Sequence, residues 1–230
     1  MISKFALFSD THSDSENTAK ALVQAKEEGA GYIVHSGDWS KVGTLEELKE
    51  QRELLSKSKL PFWGVLGDHD LWQSGTENFR EVFGYTYTSF DKNGVHHILL
   101  DSSDTSLGLG EKQLSWLEED LKVNAGKITF IFMHLPPYNP YNARTIWEKG
   151  GSNSTIKGQV DKFLKLIKGK VAGIFSGDQH FSSSYTEPAS HVKITIVGAV
   201  TGERNLQQPR FDIVEVYDSG EFRVSEEIIK

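Results

Sequence analysis

The sequence predicts an α/β fold, an αββα sandwich of two mixed β-sheets flanked by helices, in a single domain over residues 1–230. Three observations lead to this prediction. The first 70 residues alternate short apolar runs with amphipathic segments, which is the βαβαβ pattern of a parallel sheet with right-handed crossovers. Asn93-Gly94 then indicates a hairpin, and the C-terminal region is mostly β-type. A single doubly wound sheet is the alternative.

Apolar runs and helical spacing define the elements of the first half. The predicted strands are Phe5–Phe8, Tyr32–His35 and Phe62–Leu66. The predicted helices are Asn17–Glu28, which Gly29 ends, and Leu45–Ser56, in which Leu45, Leu48 and Leu55 recur at helical spacing. In each unit a helix therefore connects one strand to the next.

The second half begins with the hairpin, continues with alternating helices and strands, and ends in strands. The predicted hairpin strands are Tyr85–Phe90 and Val95–Leu100. The predicted helices are Glu111–Val123 and Ile156–Ile167. The remaining predicted strands are Ile128–Met133, Val171–Phe175, Val192–Val200, Phe211–Tyr217 and Phe222–Val224. This order is what a second mixed sheet requires.

Composition and charge exclude several classes of function. The chain has 37% hydrophobic residues, enough for a sizeable core, and a net charge of −7 without a clustered basic run, which argues against a nucleic-acid partner. It has no cysteine, so thiolate metal sites, disulfides and cysteine nucleophiles are excluded. No apolar stretch reaches the roughly 18–20 residues of a spanning helix, and the N-terminus does not resemble a signal peptide. We expect a cytoplasmic protein without a membrane partner.

Aspartate and histidine residues follow closely on five of the predicted strands. They are Asp10, His12, Asp38, Asp68, His134, Asp178 and His180. Because the carboxyl ends of parallel strands meet where open α/β sheets bind ligands, we expect these side chains to lie together. Carboxylates and imidazoles are the ligands of hydrolytic metal ions, and a carboxylate such as that of Asp38 can bridge two ions. The sequence therefore predicts a metal centre with two ions.

The order of these blocks resembles that of the calcineurin-like metallophosphoesterases. Their pattern is Asp-x-His, Gly-Asp, Gly-Asn-His-(Asp/Glu), a lone His and Gly-His-x-His. The corresponding blocks here are Asp10-Thr11-His12, Gly37-Asp38, Gly67-Asp68-His69-Asp70, His134 and Gly177-Asp178-Gln179-His180. The resemblance covers most of residues 5–181, and five blocks in order make it specific.

The resemblance implies a binuclear metal-dependent phosphoesterase. The first ion would be bound by Asp10, His12, Asp38 and His180. The second ion would share Asp38 and would also be bound by Asp68, His134 and Asp178. His69 would act as general acid toward the leaving oxygen, with Asp70 orienting its ring, and a metal-bridging hydroxide would attack phosphorus in line. The alternative for Asp70 is that it caps a helix starting near Trp72.

Two positions depart from the family pattern, and both belong to the second ion. Asp68 stands where the family has Asn, and Asp178 stands where it has His. Two divalent ions and a hydroxide with two carboxylates carry a formal charge of about +1, whereas four carboxylates make it about −1, which suits an anionic phosphate poorly. Either the second ion is trivalent, a carboxylate is protonated, or Asp178 is not a ligand. Carboxylates favour Mn²⁺, Fe³⁺ or Mg²⁺ over Zn²⁺.

The segment after His134 is long and aromatic, which is typical of a functional rim. Arg144 is a candidate phosphate clamp, and Tyr138 is a candidate to stack on a base or to cover an apolar leaving group. A surface loop that packs on itself is the alternative. Trp39 directly follows Asp38, so we expect it in the pocket wall.

We interpret the chain as a phosphodiesterase acting on a small phosphoester, with a nucleotide as one candidate. His69 would provide an acid for a poor leaving group, and no basic cradle for a dianionic monoester is evident. A phosphomonoesterase or nucleotidase of the same fold is one alternative. A catalytically weak protein-binding scaffold is another, and the intact ligand set of the first ion together with His69 argues against it. A nuclease is the third, and the net negative charge argues against it.

Overall fold

The computed structural model describes residues 1–230 and contains eleven strands and six helices. The strands are β1 (Ser3–Phe8), β2 (Ile33–His35), β3 (Phe62–Gly64), β4 (Thr88–Lys92), β5 (Val95–Leu99), β6 (Ile128–Met133), β7 (Gly173–Ser176), β8 (Ser183–Thr186), β9 (Lys193–Ile196), β10 (Arg210–Val216) and β11 (Phe222–Ile228). The helices are α1 (Ser15–Glu27), α2 (Leu45–Lys57), α3 (Glu77–Phe83), α4 (Glu111–Val123), α5 (Ile146–Lys149) and α6 (Ser154–Ile167).

Two mixed sheets are formed, as predicted. The first has the order β11-β10-β1-β2-β3, and the second has the order β4-β5-β6-β7-β9-β8. Strands β1 to β3 are parallel, and β10 and β11 extend that sheet in antiparallel fashion. In the second sheet β5, β6, β7 and β9 are parallel, whereas the edge strands β4 and β8 are antiparallel to their neighbours. The αββα sandwich is therefore confirmed, and the single doubly wound sheet is not formed.

Three apolar layers hold the sandwich together. The central layer lies between the sheets, where Phe5 of β1 meets Phe132 of β6 and Phe175 of β7 at ring distances of 6.0 and 6.3 Å. One outer layer packs α1 and α2 on the first sheet. The other packs α4 and α6 on the second sheet. Burial of apolar surface on both faces fixes each sheet, and so fixes the positions of its strand ends.

Local capping sets the helix starts more accurately than hydrophobic spacing does. Helix α1 begins two residues before the predicted position, because the Asp14 side chain accepts a hydrogen bond from Asn17 N at 3.0 Å. Helix α6 also begins two residues early, because the Asn153 side chain caps it. Asn93 and Gly94 have φ of 51° and 79°, as a type I′ hairpin turn requires.

A buried carboxyl group on β10 makes the stability of the fold depend on pH. Burial raises the pKa of Asp212 from 3.8 to about 8, the Glu226 charge adds to the shift, and Asp212 Oδ1 has no hydrogen-bond partner. The same carboxyl ionises near pH 4 in the unfolded chain, so the folded state loses stability as pH rises from about 4 to about 8.

We therefore expect Asp212→Asn to raise the thermal midpoint relative to the wild type by several degrees at pH 8 and by less at pH 5. Thermal denaturation across this pH range tests the prediction. Asp218→Asn, in an exposed turn, is the control. Parallel pH profiles for the wild type and Asp212→Asn would show that Asp212 does not titrate in this window.

None of the six helices combines the length and the apolar character that a membrane crossing requires.

Candidate metal centre

Six of the seven predicted ligands meet in two clusters that share one residue. The first consists of Asp10, His12, Asp38 and His180, and the second of Asp38, Asp68 and His134. Within each cluster the candidate ligand atoms lie within 4.8 Å of one another. Each residue follows the C-terminal end of β1, β2, β3, β6 or β7, so the sandwich assembles the site from both sheets.

The first cluster has the donor arrangement of a cation site. His12 Nε2 and His180 Nε2 face each other at 3.1 Å, and His180 Nε2 lies 3.3 Å from Asp10 Oδ1. Asp10 is fully buried, yet neither of its carboxylate oxygens accepts a hydrogen bond. Burial alone would raise the pKa of Asp10, but the His180, His134 and His12 rings hold it well below its ordinary value. An ionised buried carboxylate without a donor fits a metal ion.

The second cluster is centred on His134. Its Nε2 lies 3.3 Å from Asp38 Oδ1 and 3.2 Å from Asp68 Oδ1. Its Nδ1 donates to the carbonyl oxygen of Ser36 at 2.8 Å, which directs Nε2 at the carboxylates. Burial would lower the pKa of His134, but the Asp38 and Asp68 carboxylates raise it well above its ordinary value. The cluster therefore attracts positive charge and offers three donors for a second ion.

The backbone at these residues is strained. Asp10, His12, Asp38, Asp178 and His180 all have φ between 43° and 66°, in the left-handed region that side chains other than glycine rarely adopt. Such conformations cost on the order of 1–3 kcal/mol each and cluster at functional sites. Backbone hydrogen bonds from Asp10 N to Gly37 O and from His12 N to Asp38 O, both 3.0 Å, hold the turns together.

His69 lies beside the clusters without joining either. Its ring is 4.6 Å from that of His12 and stacks on Trp72 at 4.1 Å. His69 Nδ1 is 2.7 Å from the carbonyl oxygen of Lys41, so Nδ1 carries a proton and donates it to that hydrogen bond. His69 Nε2 points the other way, toward Arg204 Nη1 at 3.4 Å. The Lys41 carbonyl thus orients the ring.

The predicted role of Asp70 is therefore wrong. Its carboxylate accepts hydrogen bonds from Trp39 N at 3.3 Å, from Ser40 N at 3.0 Å and from Gly67 N at 2.9 Å, and none from His69. Burial and the Asp38 charge raise the pKa of Asp70 to about 7. Asp70 connects the turn after β2 to the turn after β3, and so supports the positions of Asp38 and Asp68.

Trp39 is not in the pocket wall, in contrast to the prediction. It is fully buried, its ring stacks on His35 at 3.9 Å, and its Nε1 donates to Val65 O at 2.8 Å. Its backbone follows Asp38, but its side chain points into the outer core of the first sheet.

Asp178 joins neither cluster. Its Oδ2 accepts a hydrogen bond from Arg144 Nε, and its Oδ1 accepts from Arg144 Nη2 and from Lys149 Nζ, each at 3.1 Å. Asp178 Oδ1 lies 4.0 Å from His134 Nε2. The formal charge of two divalent ions, a hydroxide and four carboxylates is about −1, and the two cations Arg144 and Lys149 bring it to about +1, which suits a phosphate.

The long loop after His134 serves two purposes. The Tyr138 ring packs edge-to-face on Trp147 at 6.2 Å, and Tyr138 O accepts a hydrogen bond from the Tyr185 hydroxyl. Its aromatic part therefore packs on itself, as the alternative interpretation held. Arg144 lies in the same loop and Lys149 is the last residue of helix α5, and both side chains extend to Asp178 at the site.

Three residues near the site were not predicted. They are Lys149, Arg204 and Trp72. A cation such as Lys149 could have been expected from the sequence, because an extra buried carboxylate at position 178 requires a compensating positive charge. Arg204 is separated from His69 by 135 positions, and no motif surrounds it.

Comparisons with known proteins agree with this architecture. The family model described as calcineurin-like phosphoesterase matches residues 3–182. The chain is 31% identical over 118 residues to a probable glycerophosphodiester phosphodiesterase GpdQ from Arcobacter nitrofigilis, which covers 46% of this chain and 41% of that relative's length.

Two solved structures share the fold. A dimetal phosphatase from Danio rerio matches with a TM-score of 0.77 and 14% identity, over 100% of this chain and 97% of that one. The purple acid phosphatase PPD1 from yellow lupin (Lupinus luteus) matches with a TM-score of 0.69 and 11% identity, over 98% of this chain and 51% of that one. At these identities the likeness shows the fold alone.

Proposed function

Because this chain belongs to the calcineurin-like phosphoesterase family, we propose that it is a metal-dependent phosphodiesterase in which His69 protonates the leaving oxygen. One observation supports this most strongly. Two ligand clusters share Asp38, and beside them stands a histidine that is not needed as a ligand. Hydrolysis of a phosphoester with a poor leaving group uses both metal ions and an acid for the leaving oxygen.

The donor set fits two ions, with four ligands at the first cluster and three at the second. Divalent or trivalent cations bound there would neutralise phosphoryl oxygens and make hydroxide available near neutral pH for in-line attack. The carboxylates of Asp10, Asp38 and Asp68 favour Mn²⁺ or Fe³⁺, are compatible with Mg²⁺ and disfavour Zn²⁺.

The side chains around His69 suit the departure of a leaving group. Because Nδ1 donates to the Lys41 carbonyl, only Nε2 is left to protonate a leaving oxygen. It can do so only in the doubly protonated ring and with Arg204 Nη1, which faces it at 3.4 Å, turned away. A cavity of about 140 Å³ opens here, lined among others by His12, His69, Trp72 and Arg204. Trp72 is 57% exposed, and Arg204 contacts His69 Nε2 through Nη1 rather than a carboxylate. A planar or anionic group on the leaving side fits this cavity, which makes a nucleotide a candidate substrate.

Two observations favour a diester. An acid at the leaving oxygen is most useful when the leaving group is a poor one, such as the alkoxide of a phosphodiester. The curated relative also carries the name of a glycerophosphodiester phosphodiesterase. A phosphomonoesterase or nucleotidase is the second candidate, because Arg144 and Lys149 provide two cations for a dianionic group.

Hydrolysis by metal-stripped protein reloaded with Mn²⁺ tests the proposal. We expect faster turnover of bis-p-nitrophenyl phosphate than of p-nitrophenyl phosphate. We expect His69→Ala to lower kcat by about 10²- to 10⁴-fold for a diester with an alkyl leaving group, and by less for the p-nitrophenyl diester, whose leaving group needs no acid.

His191→Asn is the matched control, because His191 is exposed and has a left-handed φ of 61° that asparagine tolerates. Equal losses for both diesters would mean that His69 is not the acid. Faster hydrolysis of the monoester would favour the second candidate. Metal binding without turnover of any ester would instead favour the protein-binding scaffold.

A further inference from the structure

We propose that Asp178 is an anchor rather than a metal ligand, and that the Arg144 and Lys149 side chains it holds form a cationic subsite for phosphoryl oxygens beside a weakened second ion position. That the anion is a phosphoester rests on the proposed function, whereas the arrangement of the Asp178, Arg144 and Lys149 charges is independent of it.

The hydrogen bonds of Asp178 occupy both of its oxygens. The side chain is completely buried, Oδ1 accepts from two donors, and Oδ2 accepts from a third. For Asp178 to bind an ion, its carboxylate would have to leave Lys149 and break part of a two-point pair with Arg144. Arg–carboxylate pairs of this geometry are among the stronger interactions in proteins. These hydrogen bonds therefore oppose the movement of the Asp178 carboxylate toward a metal ion.

Lys149 lies beside the second cluster, between Asp68 and Asp178. Its Nζ is 3.1 Å from Asp178 Oδ1 and 3.9 Å from Asp68 Oδ2. The ammonium group thus lies between the two carboxylates by which this chain departs from the family pattern. A positive charge at this place repels a second ion, whereas the first cluster, with Asp10, His12 and His180, has no such neighbour among its ion pairs.

The charged ends of Arg144 and Lys149 are accessible to an anion from solvent. The Arg144 side chain is 50% exposed and that of Lys149 is 26% exposed, although Asp178 beneath them is buried. Arg144 binds Asp178 through Nε and Nη2, which leaves Nη1 and the outer hydrogen of Nη2 free for another acceptor. Side chains held in place by a buried anchor lose little entropy when an anion binds. Phosphoryl oxygens are the acceptors that two such donors recognise.

Titration of the metal-free chain with Mn²⁺ tests the proposal without requiring turnover. Calorimetry gives the affinity of each ion, and electron paramagnetic resonance distinguishes an isolated Mn²⁺ from a spin-coupled pair. We expect the wild type to bind the second ion at least about tenfold more weakly than the first. Inorganic phosphate binding, measured at saturating Mn²⁺, reports on the anion subsite.

Lys149→Met tests the anchor arrangement through two opposite effects, one on the second ion and one on phosphate. If Asp178 is an anchor, removing the ammonium frees a carboxylate near the second ion, so we expect that ion to bind about tenfold more tightly and phosphate about tenfold more weakly. Arg144→Gln should change both affinities in the same directions, which guards against a folding defect in one variant. Lys157→Met is the control, since Lys157 lies over Trp147 and does not contact Asp178.

A second-ion affinity that is unchanged or weaker in Lys149→Met would overturn the anchor role. An unchanged phosphate affinity would overturn the anion subsite. Because both isotherms are measured without a reaction, failure of the proposed phosphodiesterase activity would appear separately, as metal and phosphate binding without hydrolysis of any ester.

Discussion

Replacing Asp38 with Asn is expected to lower kcat/KM by about three orders of magnitude and to lower the affinity for both metal ions. Asp38 is the residue that the two clusters share, with Oδ2 3.4 Å from His12 Nε2 and Oδ1 3.3 Å from His134 Nε2. Its Oδ1 also accepts the backbone N–H of His69 at 3.0 Å. Metal ions contribute several kcal/mol of charge stabilisation, and each 1.36 kcal/mol corresponds to about a tenfold change in rate.

The measurement is metal content after dialysis, together with kcat/KM for a p-nitrophenyl diester. Asp212→Asn is the matched control, because that carboxyl is also buried but has a pKa of about 8, so it is mostly neutral at pH 7 and its replacement changes the charge little. If Asp38→Asn retained two ions and most of its activity while Asp212→Asn behaved likewise, Asp38 would not be the shared ligand.

The fold could be predicted because its signals are local. The hairpin at Asn93-Gly94 follows from turn chemistry, and α4 (Glu111–Val123) and β6 (Ile128–Met133) have the predicted bounds because each is a strongly patterned run. Short elements such as α3 and β8 were missed, because in elements of seven and four residues the packing of neighbours outweighs periodicity.

That these Asp and His side chains lie together could be predicted for a similar reason, since a residue that follows a parallel strand must lie at one edge of the sheet. Roles that depend on which neighbour a side chain faces could not. Asp70 adjoins His69 in sequence, but it turns toward the backbone of Trp39, Ser40 and Gly67, while the carbonyl of Lys41 takes the place expected for Asp70. The balance of charge at Asp178 likewise depends on Lys149, in a helix of four residues that the sequence does not indicate.

Gly67 is the second position where a small change should have a large effect. Its φ is not in the left-handed region, so backbone freedom does not explain the glycine. A Cβ at this position would instead overlap with Oδ1 and the backbone nitrogen of Asp38. Asp38 cannot retreat freely, because its Oδ1 accepts the His69 N–H and faces His134. Gly67→Ala must therefore displace either the Asp38 carboxylate or the turn that carries Asp68 and His69.

We expect Gly67→Ala to lower kcat/KM by about 100-fold, since a misplacement of about 1 Å at catalytic groups has that effect, and to lower the free energy of unfolding by about 1–3 kcal/mol through overpacking. Metal affinity should fall as well. Gly158→Ala is the matched control, because Gly158 lies within α6 and a Cβ added there would have no neighbouring atom within 4 Å. That substitution should instead stabilise the chain by about 0.5–1 kcal/mol. Wild-type metal affinity and activity in Gly67→Ala would show that the Asp38 carboxylate has room to move, and that the close approach at Gly67 does not position the shared ligand.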